Sequence, residues 1–246
     1  MLVPRARLAA AERVLRHLDL GVPASARASV ARQMACESEV HALRQAALLV
    51  PARRRAHARA AVLDEGAREM VATARRSGAV LLSAHLGEFD LAAASLVRLR
   101  LRVVVPVRTV SPRIRHWYFN ALRRACGHQI VAAHTNLDAL VDQVVPGALV
   151  VLMADRRPHR NHTTIDWLGA PATLSTAPMR LAMRAAVPIF AAASVRVDGR
   201  RVLCAGQPRV TQVEALDDLA AYLRQAPTQW HVPVDLSELP WSFPRE

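Results

Sequence analysis

A short apolar run that stops on a histidine constrains this chain more than any other feature. Ala79-Val80-Leu81-Leu82 is continuous, as in a strand covered on both faces of a parallel sheet. His85 follows where such a strand ends, Gly87 lets the backbone turn, and Glu88 and Asp90 stand where a helix begins. Open α/β sheets place their ligands outside the carboxyl ends of their strands. The stretch therefore predicts an imidazole and a carboxylate together on the rim of an α/β sheet.

The rest of the chain repeats that alternation. Strand patterns recur at 102–107, 129–132, 148–153, 163–167, 189–197 and 201–204, with helical patterns at 88–99, 112–125, 136–146, 175–186 and 214–225. Asp198-Gly199 is a strong two-residue hairpin signal. Before residue 78 the reading is helical. One helix ends at Gly21-Val22-Pro23 and a second covers Ala24 to Val50. A basic link, Pro51-Ala52-Arg53-Arg54-Arg55, leads into a third that runs to Arg76. Strands alternating with helices predict an α/β fold with a mixed, mainly parallel sheet flanked by helices. The expected organisation is an N-terminal helical segment at 1–75, a main domain at 76–232 and a tail at 233–246. The first helix carries an apolar stripe (Leu8, Val14, Leu15, Leu18) ringed by Arg5, Arg7, Arg13 and Arg16. Such a helix either packs on the core or lies on an anionic membrane.

Composition narrows the chemistry. All 33 basic residues are arginine, and the formal net charge is +13. Without lysine there is no Schiff base, no pyridoxal phosphate anchor and no P-loop lysine. Arginine forks attract phosphate and carboxylate groups and can hold them bidentately. The basic residues are dispersed and aromatics make up only 4% of the chain, which argues against nucleic acid as a partner. Cys36, Cys126 and Cys204 are scattered, with no disulfide framework, and fit free thiols in a reducing compartment. His159, His162 and Asp166 fit no standard metal spacing. No apolar run reaches the roughly 18 residues of a membrane span, and Met1 to Leu20 carries charges throughout, unlike a signal peptide. The expected location is cytoplasmic, or peripheral on the inner face of the cell membrane.

The His85–Asp90 spacing has a definite geometric demand. On one helix the two residues would lie about 140° apart, on different faces. They meet only across a turn, which Gly87 permits. Asp90 would then accept from one imidazole nitrogen and fix the tautomer, leaving the other nitrogen to take a proton from a hydroxyl. That is two-thirds of a serine-protease-like triad, with the nucleophile supplied by substrate. The spacing equally fits a core histidine beside a helix-capping aspartate. With 10 His and 20 acidic residues, chance alone supplies roughly 0.8 such pairs.

Several blocks in order resemble the lysophospholipid acyltransferase superfamily, and within it the bacterial lipid A biosynthesis acyltransferase branch, over about residues 66–232. Ser83-Ala84-His85-Leu86-Gly87-Glu88-Phe89-Asp90 resembles that branch's strand–His–turn–acid block, which usually has asparagine, tryptophan and glutamate at the last three positions. Val107-Arg108-Thr109 resembles its arginine block, and Leu152-Met153-Ala154-Asp155-Arg156 its Asp-Gln block. Trp167 to Thr173, Pro178 to Ala182, Ala186-Val187-Pro188-Ile189 and Ala226-Pro227-Thr228-Gln229-Trp230 resemble the blocks that follow.

The resemblance implies an O-acyltransferase without metal or cofactor. A fatty acyl group would pass from a thioester of acyl carrier protein or coenzyme A to a hydroxyl of a lipid or glycolipid. It makes His85 the general base and Asp90 its orienting partner. Arg108, Asp155, Arg156 and Glu88 become substrate-binding candidates. Arg156, Arg157 and Arg160 could instead hold a phosphate or the acidic carrier protein, and Trp117, Tyr118 and Phe119 could line an acyl groove. Members of the branch typically carry an N-terminal membrane helix, and no such segment is read here. Another lipid or a soluble metabolite therefore stands beside lipid A as a candidate acceptor. The rival class is a non-catalytic, arginine-rich protein that binds membrane or nucleic acid.

Overall fold

The computed structural model describes residues 4–109, 112–133, 135–158 and 161–244, apart from the side chains of His57 and Arg115. Two helices come first, α1 (Arg5–His17) and α2 (Arg27–Ala47). The basic stretch read as a link is itself helical, α3 (Pro51–Arg59). Its proline sits at the first position, where the missing N–H has no intrahelical partner to lose. The helix expected to continue to Arg76 is interrupted by a two-residue strand, β1 (Val62–Leu63), and restarts as α4 (Glu65–Ser77). Asp64 causes the restart: its carboxylate accepts from the Ala67 N–H at 2.7 Å, a cap that stabilises a helix by about 1 kcal/mol.

The alternation then runs as the sequence predicts. It comprises β2 (Ala79–Ser83), α5 (Phe89–Arg98), β3 (Arg102–Val107), α6 (Arg113–Ala125), β4 (Gln129–Ala132), α7 (Leu137–Val141) and β5 (Ala148–Met153). Next come β6 (His162–Trp167), β7 (Ala170–Ser175), α8 (Ala177–Ala185), β8 (Ile189–Val197), β9 (Arg200–Ala205) and α9 (Gln212–Gln225). α7 stops well short of Pro146. β7 was not anticipated, because Gly169-Ala170-Pro171 carries turn chemistry. It pairs with β6 in an antiparallel ribbon, where an edge proline is tolerated, and bridges Trp241 through Ala172.

The main sheet has seven strands in the order β1-β9-β8-β2-β5-β3-β4. β2 is parallel to both β5 and β8, and β3 is parallel to β4 and β5. β9 turns back antiparallel to β8 through the predicted hairpin, and β1 runs alongside β9. The sheet is therefore mixed and mostly parallel, with helices on both faces.

β2 is central, and all five of its residues are buried. Its side chains alternate between faces. Val80 and Leu82 join a core with Val14 and Leu15 of α1, Leu181 of α8 and Leu219 of α9. Ala79 and Leu81 join the opposite core with Met70 of α4 and Leu96 of α5. The apolar stripe of α1 is thus covered by protein, which settles its two readings in favour of packing. The C-terminal stretch closes over the same core. Trp241 is 1% exposed and stacks on Trp167 with ring centroids 4.9 Å apart.

Candidate functional site

The site grows from the turn after β2. Gly87 adopts φ +60°, and a Cβ there would come within 1.7 Å of the Ser194 carbonyl oxygen. Only glycine permits that approach. The turn is clamped on both sides. Gly87 N–H donates to the Gln229 carbonyl at 2.8 Å, His231 N–H to the His85 carbonyl at 2.8 Å, and Glu88 N–H to the Ser194 carbonyl at 3.1 Å. The backbone carrying His85 is thus fixed by β8 and by residues 229–231.

The acid against His85 is Asp155. Parallel pairing sets Ser83 opposite Met153, so the residues two positions beyond the two strand ends arrive side by side. His85 Nδ1 lies 2.8 Å from Asp155 Oδ1, and the His85 backbone N–H donates to Oδ2 at 3.0 Å. Trp230 Nε1 and Arg156 Nη1 also donate to Oδ2, each at 2.9 Å. Asp155 is fully buried. Burial pushes its pKa up, but Arg156, His85 and the Trp230 hydrogen bond outweigh it and hold the carboxylate well below its usual range. The His85 pKa is lowered, by burial first and by Arg156 second, against the opposing pull of Asp155. A neutral imidazole beside an ionised carboxylate places its proton on Nδ1 and leaves Nε2 as an acceptor. Among the described residues no hydrogen bond engages Nε2, and Phe89 packs edge-on to the ring at 5.0 Å.

Asp90 sits elsewhere, which corrects the expected pairing. It is buried in the first turn of α5, accepts from Gln45 Nε2 of α2 and faces Arg123 of α6 at 3.9 Å. The turn does separate His85 from Asp90, but α5 carries the carboxylate toward α2 and α6. Glu88 points to the other side of the turn. It is 7% exposed and paired with Arg201 Nε at 2.7 Å, with Arg196, and with Arg44 at 3.5 Å. It lines a separate polar cleft with His41 and His231.

Arg156 also donates to the Asp155 carbonyl at 2.8 Å, so its guanidinium is committed to holding the acid. Arg108 is exposed at the end of β3 and donates to the Arg157 carbonyl at 3.3 Å. Arg157 donates to Ser242 at 3.4 Å. Arg160 and His159 lie outside the described residues. Among the described residues no group of three His, Cys, Asp or Glu side chains could hold a metal. Trp117 is 67% exposed on α6, and it, Tyr118 and Phe119 are absent from the walls of the cavity beside His85.

That cavity is formed between the sheet and α5. Its volume is about 70 Å³, and it opens to solvent. Leu81, Val103, Val105 and Val151 form its floor, and Ala92 and Leu96 of α5 cover it. His85 opens into it from the end of β2, and Asp90, Arg123 and His128 also reach it. Sequence reasoning missed Trp230, Gln45, Arg123 and His128. Trp230 stood in a recognised block without a role; the other three carried no local signal.

The arrangement supplies a neutral base with a fixed tautomer at the mouth of an apolar cavity. No helix of the described residues is long and apolar enough to cross a membrane. No curated protein matches the chain. A family model described as bacterial lipid A biosynthesis acyltransferase matches residues 10–231, nearly the whole chain, and the chain belongs to that acyltransferase family, whose members transfer acyl groups to a lipid acceptor.

Proposed function

We propose that this acyltransferase draws its acyl group from a thioester, on acyl carrier protein or coenzyme A, and delivers it to a hydroxyl of a lipid or glycolipid with His85 as general base. The acceptor hydroxyl gives its proton to Nε2 while its oxygen bonds to the thioester carbonyl carbon. The tetrahedral intermediate collapses by breaking the carbon–sulfur bond. The electron pair leaves on sulfur, and the imidazolium returns its proton to that thiolate. No acyl-enzyme is needed. Asp155 holds the ring and balances the imidazolium charge, and Arg156 and Trp230 hold Asp155. The acyl chain lies in the cavity beneath α5, and Arg108 is the exposed cation available to an anionic group of donor or acceptor.

One observation carries this reading: a buried carboxylate with four donors fixes Nδ1 of His85, while no described residue engages Nε2 at an apolar cavity. The test is product mass spectrometry with acyl carrier protein and coenzyme A thioesters and a lipid extract. The parent protein forms an ester and His85→Ala does not. Undiminished transfer by His85→Ala removes the histidine from the mechanism.

Membrane contact, if α1 is spent on the core, falls to α6 in this reading. Ile114 and Trp117 are 72% and 67% exposed and stand one turn apart, with Arg113 and Arg124 exposed on the same helix. Exposed Trp and Ile among arginines match the chemistry of an anionic lipid surface.

A further inference from the structure

The cavity beneath α5 is not uniformly apolar. His128 precedes β4 and lines that cavity, yet it is only 7% exposed. Neither of its ring nitrogens completes a hydrogen bond with a described residue. The ring lies beside Asp90, whose backbone carbonyl and carboxylate favour a proton on it, and beside Arg123, which opposes one. Burial is the largest influence and keeps the imidazole neutral. Asp90 is already served by Gln45 and Arg123. The Asp90 carbonyl draws the ring N–H to its side, so the cluster leaves the other nitrogen of a neutral ring as an unpartnered acceptor.

We infer that the acyl chain accepted by this cavity carries a hydroxyl, and that His128 recognises it. The inference rests on the reading that an acyl chain occupies the cavity. A plain hydrocarbon against His128 would leave a buried polar ring unsatisfied. A second carboxylate on the chain would meet Asp90 and be repelled. A hydroxyl can donate to that nitrogen and adds no charge. The remaining wall, Leu81, Val103, Val151 and Leu96, suits the methylene groups. His128 is a specificity-determining residue here and takes no part in the chemical step.

The test is equilibrium binding of free acids to the full-length protein, which needs no turnover. The probes are a medium-chain saturated fatty acid and its monohydroxy isomers, with the hydroxyl at different carbons. One isomer binds about ten-fold tighter than the saturated acid, the worth of one hydrogen bond. His128→Leu abolishes or reverses that preference, and His128→Asn, which keeps a donor and an acceptor, retains part of it. Equal binding of all probes by the parent protein, or an unchanged preference in His128→Leu, overturns the inference and leaves the acyl cavity standing. No binding of any probe removes the acyl reading of the cavity, and the inference with it. Thermal melting of both variants confirms that they fold; if His128→Leu does not, the parent and His128→Asn decide.

Discussion

Asp155 Oδ1 stands 2.8 Å from His85 Nδ1, though 70 residues of chain separate them. The two meet because β5 lies next to β2 in the sheet, in parallel register. Asp90, five positions from the histidine, is turned away by the helix it begins. The imidazole and the carboxylate against it are therefore supplied by neighbouring strands, and each acid can be tested by itself.

Asp155→Asn should slow acyl transfer by about 10³- to 10⁴-fold, the scale seen when a triad histidine loses its tautomer. Asp90→Asn should cost less than about ten-fold, because its carboxylate serves Gln45 and Arg123. Single-turnover rates with a thioester donor compare the two. A larger loss at Asp90 would return the orienting role to it.

The pH profile follows from the lowered pKa of His85. The base works when neutral, so kcat/KM rises with pH and levels off. A lowered pKa puts that rise below the ordinary 6.5 and leaves activity flat through neutrality. Arg156 contributes to the lowering, so Arg156→Gln should move the rise to higher pH as well as loosening Asp155. A profile that rises only above neutrality in the parent protein would contradict a neutral resting His85.

Glu88 makes a prediction about stability instead of rate. It is a buried carboxylate whose main partner, Arg201, is equally buried at 7% exposure. Glu88→Gln takes the negative charge out of that buried pair, and removing one partner of such a pair costs about 3–5 kcal/mol. Denaturant unfolding should show the loss. Replacing the half-buried Arg44, whose contact to Glu88 is longer, should cost less than Glu88→Gln.

Trp117→Ser and Ile114→Ser should weaken sedimentation with anionic vesicles while leaving the unfolding temperature near that of the parent, since both side chains are mostly exposed. Vesicle binding that survives the double change would place the lipid contact on another surface.

What the residues disclose by themselves divides along a physical line. The strand–turn–helix at 79–98, the hairpin at Asp198-Gly199 and the cap at Asn136 are legible because each depends on neighbours in the chain. The pairing of His85 with Asp155 is not, because it depends on strand order, which hydrophobic patterning leaves open. Asp155 could be placed on the same rim, since it also follows a strand, but nothing local chose it over Asp90. β7 was hidden by Pro171, and α3 by its run of arginines, which reads as a solvated link although Ala58 packs against Leu48, Leu91 and Leu122. His128 gave no signal, because an unsatisfied ring is visible only once its surroundings are.

The hydrogen bond from Trp230 to Asp155, with Trp241 packed at 5.9 Å behind it, bears on synthesis. A ribosome releases the histidine long before the indole that braces its carboxylate. A chain halted before that point holds His85 against a carboxylate that lacks its indole donor.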